Sequence, residues 1–170
     1  GWLQRLTDLW GGPLSESDHA LVANYLDDPG KFLFYQMDPI DQRHTIKVAR
    51  RLLHEVAFRR GVDTERLIQA ALLHDAGKVK GDINRFYRVL VGLIRRIAPG
   101  LRSHWASGLR KYRFRYACYV DLVHPGRGAY MASLLGVDVL VVDLIREHHE
   151  PRRHGQTPEL SYLQAADNAS

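Results

Sequence analysis

The chain has 170 residues, 45% of them hydrophobic, and a formal net charge of +5. That is enough apolar material for one globular domain with a sizeable core, and it excludes a disordered composition. A single cysteine, Cys118, excludes an internal disulfide framework and a cysteine-type zinc site. With no run near the ~20 apolar residues that span a bilayer, the sequence predicts a soluble, cytoplasmic protein. The excess positive charge favours anionic partners: phosphates, nucleotides, nucleic acid or an acidic membrane surface.

Residues 1–37 read as an N-terminal helical packing arm. It comprises an apolar stretch (Trp2, Leu3, Leu6, Leu9, Trp10), a break at Gly11-Gly12-Pro13, a helix from Ser17 to Leu26, and a short helix containing Phe32, Phe34 and Tyr35. His19 reads as a surface residue. Asp38-Pro39 is a helix start, because aspartate can cap and proline suits the first helical position, and this helix is predicted to run to Gly61. Steps of four place His44, Val48 and Leu52 on its inward face, with Arg50, Arg51 and His54 elsewhere.

The next helix, capped near Asp63 or Thr64, runs into Leu73-His74-Asp75-Ala76-Gly77-Lys78, with Gly77 read as its stop. Ile68, Ala71, Leu72 and Asp75 share a stripe with His74 beside it. A carboxylate there opposes the helix dipole, and apolar neighbours make its burial costlier. A bound cation would compensate it, since neutral imidazole and carboxylate are both metal ligands; hydrogen-bond partners elsewhere would be the plainer answer.

Residues 81–116 read as a basic helical insertion. Phe86, Leu90, Leu93, Ile94 and Ile97 make an amphipathic helix that Pro99-Gly100 ends, decorated by Arg85, Arg88, Arg95 and Arg96. After a loop with His104 and Trp105, cationic and aromatic side chains interleave from Arg110 to Tyr116, as they do on nucleotide-contacting surfaces and also on plain solvated helix faces. His124-Pro125-Gly126 is read as a break, followed by a short helix from Arg127 to Leu135. Asp138 caps a helix whose face carries Val141, Leu144, Ile145, His148 and His149, and Thr157-Pro158 opens a last one with Leu160, Leu163 and Asp167 on its stripe. His154 reads as incidental. With no alternating strand pattern, an all-α bundle follows, a class in which metal sites are built from side chains projecting inward from several helices. Five histidines and two aspartates at the ends of apolar stripes fit that arrangement better than satisfied core histidines do.

Taken in order, His44, His74-Asp75, His124-Pro125, His148-His149-Glu150 and Asp167 resemble the metal-binding signature of the HD-domain metal-dependent phosphohydrolase superfamily, with an HD domain at 38–170. Within it the chain is most similar to the HDIG type and to the related HD-GYP cyclic-dinucleotide phosphodiesterases. It departs from the latter in lacking Gly-Tyr-Pro between 151 and 158, and in having Ile40 where a third-metal glutamate would precede His44.

The resemblance implies an all-α HD-domain helical bundle with the metal site in its core. It implies two divalent transition-metal ions (Fe, Mn, Zn, Ni or Co). One would be held by His44, His74, Asp75 and Asp167, the other by Asp75, His124, His148 and His149, so that Asp75 bridges. Two such cations can share a carboxylate, generate a hydroxide nucleophile and neutralise phosphate charge. Lys78, expected partly exposed at the site mouth, would stabilise the developing charge, and Glu150 would orient a histidine. Arg127 and the cluster Arg110, Lys111, Arg113 and Arg115 would meet substrate phosphates. The implied activity is hydrolysis of a phosphate ester of a nucleotide or cyclic nucleotide. A diiron oxygenase and a metal-stabilised nucleotide- or RNA-binding module are the readings from other classes.

Overall fold

A computed structural model of the chain describes residues 13–57 and 59–170, so residues 1–12 of the expected packing arm lie outside the described residues. Among the described residues there are nine α-helices and no strand, only an isolated bridge between Met37 and Val79. The first four helices are opened by the side chains that sequence reading nominates or by near neighbours. Ser15 caps α1 (Glu16–Tyr25) in a reciprocal box with Asp18, Asp27 caps α2 (Asp28–Gln36), Asp38 caps α3 (Pro39–Val56) and Asp63 caps α4 (Thr64–Leu73). Each cap oxygen accepts a first-turn N–H that has no intrahelical partner. Helix α3 ends before the expected Gly61, which instead turns the following loop with φ of 80°.

Helix α4 forms the centre of the bundle. Leu67, Ile68, Ala70, Ala71, Leu72 and Leu73 are all buried, so the C-terminal part of the helix is enclosed on every side, while Glu65 near its start is exposed. It packs against α3, α1 and α2, and against α8 (Val139–Glu147) and α9 (Pro158–Asn168). The inward residues of α3 are Val48, Ala49, Leu52 and Val56, while Arg50, Arg51 and His54 are exposed, as the periodicity predicts.

The expected break at His124-Pro125-Gly126 does not occur: α7 is one helix, Arg113–Leu134, with Pro125 inside it. Burial of Ala117, Val120, Ala129 and Ala132 against its neighbours holds it together across the missing amide. Gly77 is not the stop that ends α4, because α4 ends at Leu73 and Gly77 has ordinary negative φ. Its role is close approach. A Cβ at Gly77 would stand 2.1 Å from the His124 carbonyl oxygen and 2.8 Å from the Gly128 nitrogen, so only glycine lets the turn carrying His74, Asp75 and Lys78 rest on α7.

The segment between them folds as α5 (Arg85–Ile97) and α6 (Pro99–Trp105). It builds a small second core of Ile83, Val91, Ala117, Cys118 and Val120. The apolar stripe of α5 does not all face inward: Phe86, Leu93 and Ile97 are exposed, while Arg88 and Arg95 turn toward the bundle. The cause is a pair of buried carboxylates, Asp41 on α3 and Asp121 on α7, which draw the guanidinium groups in.

Candidate metal centre

Three histidines share one local device. Nδ1 of His74 donates to the Ala71 carbonyl (2.8 Å), Nδ1 of His124 to that of Asp121 (2.8 Å) and Nδ1 of His148 to that of Ile145 (2.7 Å). A carbonyl can only accept, so each Nδ1 carries the proton and each neutral ring turns a bare Nε2 lone pair inward. Two of these carbonyls lie in the last turns of α4 and α8, where intrahelical donors run out. The third exists because of Pro125: residue 125 should donate to the carbonyl of residue 121, proline has no N–H, and His124 takes the vacancy.

Pro125→Ala restores the competing amide. It is expected to leave the fold as stable or more so, yet to weaken metal affinity by roughly tenfold or more, the usual cost of losing a contact that orients a ligand. Thermal unfolding of metal-free protein and a metal titration together check this.

The Nε2 atoms converge. His124 Nε2 lies 3.2 Å from His148 Nε2 and 3.1 Å from Asp75 Oδ1, and His74 Nε2 is 3.8 Å from Asp75 Oδ1 and 3.6 Å from Asp167 Oδ1, buried without a hydrogen-bond partner. His44 Nε2 meets Asp167 Oδ1 at 2.8 Å, and His149 Nε2 is 3.6 Å from Asp167 Oδ2. All seven expected metal residues thus lie in one cluster, in three overlapping groups: His44, His74 and Asp167; His74, Asp75 and His148; His124, His148 and His149. The exposed His19, His54, His104 and His154 stand outside it.

Charge distribution follows from this packing. Burial would push Asp75 up, but Lys78, His74 and His124 outweigh it and hold its carboxyl well below the usual range. Asp167 is likewise lowered, because the hydrogen-bonding histidines around it outweigh burial. Burial and the Lys78 ammonium bring His124 down to about 4, and burial with the neighbouring imidazoles takes His148 well below its ordinary value. At neutral pH, His124 and His148 are therefore uncharged rings with facing lone pairs and no proton between them. His74 goes the other way: Asp75 and Asp167 outweigh burial and raise it, so its Nε2 takes up a proton more readily than the other two, in the place where a bound cation would supply the positive charge instead. A set of nitrogen and oxygen lone pairs aimed at a common centre fits a cation.

Lys78 is not at an exposed mouth. It is buried, with Nζ 2.8 Å from Asp75 Oδ1, and the carboxylates of Asp75, Asp41 and Asp121 keep its ammonium raised against the opposing effect of burial. Nor does the exposed Glu150 side chain orient a histidine; backbone carbonyls do that. Its carbonyl instead accepts Gln164 Nε2 at 2.9 Å, and the same amide reaches the Glu147 carbonyl at 3.3 Å, which clamps the end of α8 bearing His148 and His149.

The expected substrate cations are divided. Arg127 pairs with Asp82 at 2.5 Å and lines a cavity of about 850 Å³ that His149 also borders. Arg110 reaches Asp82 and the Tyr116 ring, Lys111 stacks on Tyr112, Arg115 binds the Trp105 carbonyl and Arg113 is exposed; none of the four lines this cavity or the smaller one beside His148 and His149. The arginines nearest the cluster belong to the basic insertion but are not the four that sequence reasoning assigned to the substrate. Arg95 Nη1 donates to His149 Nε2 at 2.9 Å, Arg102 pairs with Asp121, and Arg88 pairs with Asp41. Burial raises Asp41 to about 6 despite Arg88 and Lys78. The usable signal was spacing: Asp41 and Asp121 each precede a cluster histidine by three positions, on the same helical face.

The HD domain family model matches residues 42–170, most of the chain and every residue of the cluster. The chain belongs to the HD domain family. This HD domain is all-α and of the metal-dependent phosphohydrolase superfamily, and its His and Asp groups can hold divalent metal. No curated protein and no solved structure matches the chain. No helix among the described residues is long and apolar enough to cross a membrane.

Proposed function

We propose that this HD domain is an HDIG-type phosphohydrolase that cleaves a phosphate ester, of a nucleotide or cyclic nucleotide, with two divalent transition-metal ions. The observation that carries the reading is the set of three carbonyl-fixed imidazoles whose Nε2 lone pairs converge around one buried carboxylate, Asp75. His44, His74, Asp75 and Asp167 would hold one ion and Asp75, His124, His148 and His149 the other. Bound there, the ions would supply a water of lowered pKa and positive charge against phosphoryl oxygens.

The chain's own groups account for the rest. Hydrolysis forms a bond from a water oxygen to phosphorus and breaks the ester P–O bond, leaving an oxygen that needs a proton or a positive charge. Lys78 spends one of its three N–H donors on Asp75, and two remain to meet that charge. The burial of Lys78 keeps water away from the ammonium and strengthens its field. Helices α5 and α6 act as a cap that excludes water and supplies arginines to the substrate.

Lys78→Ala is expected to retain both ions and to lower turnover by roughly a hundredfold or more. The metal-free variant should unfold more easily, because Asp75 loses the partner that offsets its buried charge. Turnover of metal-loaded protein on a panel of mono-, di- and cyclic nucleotides tests the proposal itself. Cleavage of at least one class supports it, and failure on every phosphate ester in protein of full metal content contradicts it.

A further inference from the structure

Beside His148 and His149 lies a cavity of about 280 Å³ whose wall includes Arg95, Arg96, Arg102, Arg152 and Glu150. Its arginines come from α5, α6 and the loop after α8. Among the described residues Arg96 and Arg152 form no ion pair, and Arg102 Nε is buried without a hydrogen-bond partner. Asp121 stands behind Arg95 and Arg102, so four guanidinium groups face two carboxylates and the wall keeps an excess of positive charge. Gathering like charges in a partly enclosed space is costly unless an anion enters, and the guanidinium fork suits tetrahedral oxyanions.

We propose that this cavity is an anion subsite for a second, non-scissile phosphate-like group, so that the substrate carries two separate anionic centres. The inference rests on the phosphohydrolase reading in placing the scissile group at the neighbouring cluster. The cavity is below the size of a whole small-molecule pocket and suits one tetrahedral group with its attachment. The 850 Å³ cavity is joined to it through Arg102, His149 and Glu150, and offers Tyr116, Tyr119 and Val123 to the body of the molecule. Arg95 links the two functions: the Nε2 lone pair of His149 can serve Arg95 or a metal, not both, and when it serves a metal the Arg95 donor is released to the cavity.

The test is calorimetric titration with 1,3-propanebisphosphonate and, as the one-anion control, propylphosphonate, on metal-loaded and metal-free protein. The bisphosphonate should bind at least tenfold tighter than the control to loaded protein. Arg96→Gln with Arg152→Gln, at two exposed and unpaired positions, should remove most of that advantage while leaving metal content and propylphosphonate affinity unchanged. Equal binding of the two probes in both forms of the wild type, or an advantage that survives both substitutions, overturns the subsite. A difference between the probes that depends on the two arginines in protein that takes up no metal supports the subsite, and counts against the phosphohydrolase reading alone.

Discussion

Asp75→Asn protein is expected to take up neither metal ion and to lose hydrolysis by roughly a thousandfold or more, since several kcal/mol of charge stabilisation are removed at one atom. The expectation follows from the central place of Asp75 Oδ1, which is 2.8 Å from Lys78 Nζ, 3.1 Å from His124 Nε2 and 3.8 Å from His74 Nε2. Asparagine keeps the shape, so the loss reports charge rather than packing. It also leaves the Lys78 ammonium buried with less compensation, at a cost of order 3–5 kcal/mol in metal-free protein. His124→Ala should behave differently: His44, His74, Asp75 and Asp167 all survive, so one ion is retained. Metal content per chain separates the two variants, and an Asp75→Asn protein that still binds two ions would refute the bridging role.

Gly77→Ala is expected to be the most damaging methyl in the molecule. The added carbon would stand 2.1 Å from the His124 carbonyl and 2.8 Å from the Gly128 nitrogen, and both obstacles are backbone, which no rotamer change can clear. Gly128 presents the reciprocal contact, with a Cβ 2.9 Å from the Gly77 nitrogen. Forcing the turn off α7 should cost about 3 kcal/mol, the upper range for overpacking, and lower the melting temperature by roughly 6–12 °C for a chain of this length. Because the same displacement parts Asp75 from His124, metal affinity should fall with stability. Ala at Gly92, where a Cβ meets nothing within 4 Å, is the control that should keep both.

Much of this was legible in the residues. The helices with strong caps and clear stripes form nearly where Asp38-Pro39, Asp63, Asp138 and Thr157-Pro158 place them, and the inward positions of His74, Asp75, His148 and Asp167 follow from the same periodicity. The failures share a cause, which is that a tertiary contact decided what a local rule could not. Pro125 reads as a breaker, but the packing of α7 tolerates it and His124 uses the carbonyl it frees. Gly77 reads as a helix stop, but its requirement comes from a helix far away in sequence. Lys78 reads as partly exposed at the site mouth because it follows a helix end; three buried carboxylates keep it inside. On α5 and α6, apolar periodicity alone could not reveal that Asp41 and Asp121 would draw Arg88, Arg95 and Arg102 toward the cluster.

The claim on which the account rests is that one cluster built around Asp75 holds two metal ions. Anomalous scattering from crystals of metal-loaded protein measures it directly. Two peaks are expected, one against His44, His74 and Asp167 and one against His124, His148 and His149, both within reach of Asp75. Peaks only at exposed histidines such as His54 or His154, or His74 and His148 turned away from a shared centre, would contradict it.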